Sequence, residues 1–188
     1  MPIEIDYALL QKLENAAGRM SANVPNPGGS QSGVTICTGF DLGARNENDL
    51  LSLGIRGELL DLLSPYLGIK KWDAVNKLKA RPLVMTTSQC VQIDTAVKTH
   101  FVSQLRVKYN AHVAKGKPKF EDLPGAVQTV MLSVAFQYGL SGLSSETPLF
   151  WRACLNQDWA RVISLLKNFD DIYTPRRLAE AKYLEEKL

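Results

Sequence analysis

The chain has 188 residues, 45% hydrophobic and 22% charged, ordinary globular values that exclude a largely disordered or fibrous protein. Twenty-two basic residues against nineteen acidic give a net charge of +3, too mild a basic balance to indicate a nucleic-acid partner. No run reaches the roughly 18 apolar residues of a membrane span, and the start MPIEIDYALL has two acids and no basic residue before its apolar run. It does not read as a signal peptide, so the chain is expected to be made in the cytoplasm without a leader.

In chain order, Asp6 is suited to cap a first helix, with Leu9, Leu10, Leu13, Ala16, Ala17 and Met20 at helical spacing and Gly18 near its end. Residues 21–33, SANVPNPGGSQSG, carry two Pro, three Gly and no charge. They read as a long loop of the kind that serves binding or closure. Residues 34–42, VTICTGFDL, predict a short β-hairpin turning at Thr38 and Gly39; nothing else reads as a strand. Between 47 and 80, Gly54, Gly57, Pro65 and Gly68 punctuate two or three short helices. Thr86 with Gln89 forms a capping box for a helix that runs to about Ala114 and joins two lobes.

Beyond it, KGKPKFEDLP is a basic, Pro-bounded connection, and Lys115, Lys117 and Lys119 read as a solvated loop. Residues 125–138 are the most apolar helix and the expected core of the second lobe, followed by a Gly/Ser turn region at 139–148. Thr174 and Pro175 open the last helix. Trp159 fits the apolar stripe Leu155, Val162, Ile163, Leu166 and is expected in the core. Cys37, Cys90 and Cys154, odd in number and scattered without a CxxC, read as reduced thiols, Cys90 and Cys154 as packing groups. His100 and His112 are the two histidines, on one predicted helix, which disfavours a His-based triad or two-His metal centre. The fold class is α+β, mainly helical: a single domain over 1–188 with lobes of approximately 1–85 and 115–188 joined by helix 86–114.

Three side chains could carry acid–base chemistry. Glu14 borders the apolar stripe of the first helix, where partial desolvation raises a carboxyl pKa and suits a general acid; the alternative is a solvated glutamate on the rim of the core. In the hairpin, Thr35 and Asp41 share one parity, whereas Val34, Ile36, Phe40 and Leu42 hold the bulky apolar groups. One face is therefore apolar and the other presents a hydroxyl and a carboxylate; the alternative for Asp41 is a turn-stabilising role. Two carboxyl groups and a hydroxyl are the parts needed to hydrolyse a glycosidic bond.

The order of these segments resembles the phage-type lysozymes and the related bacteriocin pesticin. Four stretches carry the resemblance: the helix with Glu14 and the hairpin GVTICTGFDLG, similar to the family's Gly-x-Thr-Ile-Gly-x-Gly and, in the pesticin branch, Asp-Leu-Gly; MTTSQCVQIDTAV, similar to the capped start of the connecting helix; AVQTVMLSVAFQYG, similar to the core helix ending in Phe-Gln-x-Gly; and the C-terminal CLNQDWARVISLLKNFDDIYTPRRLAEAKYL with its Trp, Thr-Pro and Arg. The resemblance implies a lysozyme-like two-lobed fold and a muramidase acting on peptidoglycan as an antibacterial toxin, effector or endolysin. It makes Glu14 the catalytic acid, Thr35 the catalytic threonine and Asp41 the second carboxylate, since residues 15–40 hold no Asp or Glu. Gln137 matches a cleft-facing residue and Arg177 an arginine that pairs with the catalytic glutamate. Cys37 stands where the family usually has Gly, and Phe40 where many phage enzymes have His.

No metal or cofactor is implied, and the protein is expected to be a monomer whose partners are the glycan strand and an immunity or inhibitor protein. Delivery by a holin, by lysis or by a secretion machine would bring it to the periplasm or cell wall of its target. A lytic transglycosylase or chitin-directed enzyme on the same scaffold, and a non-catalytic glycan-binding or nucleic-acid-binding module, are the competing readings.

Overall fold

The alternation in residues 34–42 survives in three dimensions except at Cys37, which is buried with the apolar set. In the computed structural model, which describes residues 3–14 and 19–188, with the side chains of Glu14, Arg19 and Met20 outside that description, strands β2 (Thr35–Cys37) and β3 (Phe40–Asp41) pair antiparallel. Thr35 lies opposite Asp41, and Ile36 opposite Phe40. The apolar parity is buried: Val34, Ile36, Phe40 and Leu42 enter a core with Leu50, Ile55, Leu63, Tyr66, Met85 and Ile93.

Two features correct the sequence reading. A third strand, β1 (Arg19–Asn23), lies on the outer side of β2, reaching into the stretch expected to be loop; Gly18, the expected helix end, lies outside the described residues. Its five residues, RMSAN, have no alternating apolar pattern, and the strand exists because β2 and a bridge from Ser21 to Val84 supply its backbone partners. Cys37 and Cys90 form a disulfide, Cα atoms 5.1 Å apart and 53 positions apart in sequence, where reduced thiols were expected. Cys154 is free and buried. The crosslink ties the hairpin turn to the long helix α5 (Thr87–His112), and Thr38 Oγ1 donates to Asp94 Oδ1 on that same helix at 2.6 Å.

The helices α2 (Glu47–Ser52), α3 (Gly57–Leu63) and α4 (Lys71–Ala80) complete this part. The capping box of α5 forms as expected, with Gln89 N donating to Thr86 Oγ1 and Thr86 N to Gln89 Oε1. The helix stops at His112, two residues short of the expected end, and both histidines lie on it.

Contacts divide the chain into two units: Ala16–Phe101, just described, and Met1–Asn15 with Val102–Leu188. Helix α5 contributes to both. The second unit is all helical among its described residues, with α1 (Tyr7–Glu14), α6 (Gly125–Ser145), α7 (Pro148–Asn156), α8 (Trp159–Lys167) and α9 (Thr174–Lys187). Every residue from 126 to 135 is buried, as an all-round apolar helix requires. At Gly139 the backbone leaves the helix, φ 73° and ψ 168°, a conformation essentially confined to glycine. It then resumes helical geometry to Ser145 over residues expected to be a turn. Trp151 is buried and Trp159 only partly so, because the ring of Trp151 meets Tyr109 and His112 edge-on while Trp159 sits at the exposed start of α8. Lys115 and Lys119 are exposed, as a solvated loop requires, and Lys117 and Lys119 also hydrogen-bond the carbonyls of Asn156 and Asn110.

Candidate active site

The hairpin brings Thr35 and Asp41 together as a cross-strand pair on the face away from the core. Asp41 caps a short 3₁₀ turn, Leu42–Ala44. Its Oδ1 accepts the N–H of Gly33 at 3.0 Å and of Gly43 at 2.8 Å. Both donors must be glycine: a Cβ on Gly33 would lie 2.4 Å from Gly43 Cα, and one on Gly43 would lie 2.6 Å from Gly33 Cα. Two backbones in direct contact therefore fix one carboxylate oxygen, while Oδ2 accepts no hydrogen bond from any described residue. Thr35 Oγ1 donates to Gly33 O at 3.3 Å, keeping its hydroxyl beside the same glycine. The turn-stabilising role expected as the alternative for Asp41 is therefore carried by Oδ1.

Cys37 sits at φ 52°, the left-handed region that disfavours a side chain with a Cβ. A glycine is at ease there, so the cysteine occupies a glycine-like position and is retained by the bond to Cys90. Phe40 is buried, with the Arg45 guanidinium 5.3 Å above its ring.

In the other unit, Glu14 is the last residue of α1, and its side chain lies outside the described residues. Helix α1 is fixed at its start. Asp6 Oδ1 accepts from Leu9 N at 2.9 Å, as an N-cap should, and the Asp6 and Glu4 N–H groups donate to Thr129 Oγ1 and Gln128 Oε1 on α6. Gln137 is half-buried two positions before the break at Gly139, and its side chain makes no hydrogen bond with a described residue.

Arg177 is fully buried. It donates to Asp171 Oδ2 at 2.9 Å and Glu180 Oε2 at 2.5 Å, with its guanidinium beside the rings of Tyr138, Phe169 and Tyr173. Nη2 has no partner among the described residues. Burial pushes the Asp171 carboxyl up, but hydrogen bonds from Arg177, Tyr138 and the Tyr173 N–H, with the Arg177 charge, outweigh it and hold Asp171 below its ordinary value. Burial and the Asp171 contact push the Tyr138 phenol up to about 12. Arg176 joins the cluster from the other side, bound to Ser133 and Glu180. The sequence singled out Arg177 but not Arg176, Asp171 or Glu180. The Arg-Arg pair after Thr174-Pro175 was visible, but the carboxylates that bury it have no distinctive spacing.

Among the described residues, no group of three or more His, Cys, Asp and Glu side chains is placed to hold a metal ion, and no helix is long and apolar enough to cross a membrane.

A mainly helical chain with a small antiparallel sheet, whose hairpin presents a clamped aspartate beside a threonine, is a lysozyme-like α+β protein. The pesticin family model, described as the C-terminal part of a bacterial toxin homologous to phage lysozyme, matches residues 4–160. The chain belongs to this family. Residues 161–188, with Arg176 and Arg177, lie beyond the matched stretch. Comparison with curated proteins finds no match.

Proposed function

We propose that the protein is a muramidase, hydrolysing the β-1,4 bond between N-acetylmuramic acid and N-acetylglucosamine in peptidoglycan, and that it acts as an antibacterial toxin. Membership in a family of toxin homologues of phage lysozyme supports a glycan-cleaving toxin. The observation that carries the chemistry is the Asp41 clamp: one oxygen held by two glycine N–H groups and the other without a hydrogen bond from the described residues, beside the Thr35 hydroxyl.

In this reading Glu14 is the general acid that protonates the departing glycosidic oxygen. Asp41 Oδ2 and the Thr35 hydroxyl position or activate the water that attacks the anomeric carbon. The Gly33–Gly43 contact prevents the carboxylate from turning away, which is the preorganisation such a step needs. Gln137, half-buried near the break in α6, would contact the substrate, whereas the fully buried Arg177 would act through Glu14 and not on the glycan. The unpartnered Nη2 of Arg177 favours a contact with the Glu14 carboxylate, which would hold the acid in place until substrate arrives. The protein works as a monomer in the periplasm or cell wall of its target, and a producing cell would need an inhibitor protein against it.

The test is mass analysis of fragments released from purified sacculi. Hydrolysis gives ordinary reducing ends, each product pair gaining one water. A 1,6-anhydro end would instead identify a transglycosylase, and no release from peptidoglycan would refute the substrate.

A further inference from the structure

Helix α1 has eight residues, about two turns, too short to hold itself in water. The carbonyls of its last turn lack intrahelical partners, and Glu14 sits at that end. The start of the helix is secured by the Asp6 cap, by Gln128 and Thr129, and by Tyr183 Oη donating to Asp6 Oδ2 at 3.1 Å. Its middle is anchored by the fully buried Leu10.

At the other end, Arg176 Nη1 donates to the Leu13 carbonyl at 3.4 Å. The remaining contacts of this guanidinium hold it rigidly between α6 and α9: Nη2 to Ser133 Oγ at 2.8 Å and Ser133 O at 3.2 Å, Nε to Ser133 Oγ at 3.2 Å and to Glu180 Oε1 at 3.2 Å. Ser133 Oγ in turn donates to Glu180 Oε1. A planar cation fixed on three sides cannot swing away, and a positive charge at a helix C-terminus is favoured by the helix dipole. Arg176 is 9% exposed, so it acts on the helix and not on a glycan.

We infer that Arg176 is a positioning residue for the reaction: by binding the carbonyl of Leu13 it fixes the direction in which Glu14 leaves α1. The inference rests on Glu14 being the acid. The donor to Leu13 is Arg176 and not Arg177, which binds Asp171 and Glu180.

The experiment compares Arg176→Gln, Arg176→Lys and Tyr183→Phe on soluble glycan fragments, well below each variant's melting temperature. Since a misplacement of about 1 Å can cost on the order of 100-fold in rate, Arg176→Gln should lower kcat roughly 10- to 100-fold and leave KM within about twofold. Arg176→Lys, which keeps a cationic donor for the Leu13 carbonyl, should recover much of that loss and serves where Arg176→Gln fails to fold. Tyr183→Phe loosens the opposite end of α1 and should leave kcat unchanged. Wild-type kcat in Arg176→Gln, or an equal loss in Tyr183→Phe, overturns the proposal.

Hydrogen exchange separates this from the assignment of the acid. Amides in the last turn of α1 should exchange faster in Arg176→Gln, and unchanged exchange there refutes the tether. A fully active Glu14→Gln would instead remove the acid and leave the tether to be decided by exchange.

Discussion

The Cys37–Cys90 crosslink allows a quantitative test of how the hairpin is held. Its loop spans 53 positions, and on the chain-entropy account closing a loop of that length removes about 4 kcal/mol of unfolded-state freedom at 25 °C. Cys90→Ser should therefore lower the stability of the hairpin-bearing unit by about this amount, a fall in Tm of roughly 16–32 °C at about 4–8 °C per kcal/mol for a unit of this size. A second comparison, made in the Cys90→Ser background, isolates the backbone at position 37. With φ at 52°, a side chain with a Cβ costs ~1–2 kcal/mol there, while glycine loses ~0.5–1 kcal/mol more chain entropy on folding. Cys37→Gly should thus be more stable than Cys37→Ser by about 0.5–1 kcal/mol. The assay is equilibrium urea unfolding of the oxidised protein and the variants, with the hairpin unit's transition followed separately. A Cys37→Ser chain as stable as Cys37→Gly would refute the claim that this is a glycine-like position. A loss below about 1 kcal/mol in Cys90→Ser would refute the claim that the crosslink restrains the unfolded chain.

Other expectations follow from the two halves of the site. Gly43→Ala drives a Cβ to within 2.6 Å of Gly33 Cα, so the clamp on Asp41 must open. Stability should fall by about 1–3 kcal/mol, and sacculus clearing should fall further than that loss of folded protein explains. Glu180→Ala leaves Arg176 without its carboxylate and Arg177 with Asp171 alone, a broken buried ion network expected to cost about 3–5 kcal/mol, measured by the shift in urea midpoint. Asp171 is held below its ordinary value of 3.8. Its contribution is therefore fully present above that pH and is lost as pH falls through the lower folded value. Acid unfolding followed by circular dichroism should show a less steep loss below about pH 3.8 in Asp171→Asn; an unchanged slope would mean that the Arg177 pair does not stabilise the charged form.

Much of this was legible in the sequence where the causes are local. The period-two alternation of residues 34–42 needs only a tight turn to set Thr35 opposite Asp41, and the Thr86–Gln89 box needs only four residues to start α5. The disulfide was hidden because two cysteines so far apart carry no local mark; their meeting depends on where the hairpin turn lands on α5. Strand β1 was hidden for the same reason, since its residues have no preference of their own and take their structure from β2. The core of the second unit was readable from the apolar run of α6. The partners of Arg177 were not, because burial of an arginine by Asp171 and Glu180 depends on how α9 packs, not on spacing. Gly33 and Gly43 were visible as part of a motif, but their mutual contact, which fixes Asp41, appears only in the folded chain.

The central claim is that one proton donor at position 14 and one clamped carboxylate at position 41 together cleave the glycan. Clearing of purified sacculi by the wild type, Glu14→Gln and Asp41→Asn, each checked for native folding, tests it most directly. The wild type should clear the suspension and both folded variants should not; clearing by Asp41→Asn at the wild-type rate would contradict the account.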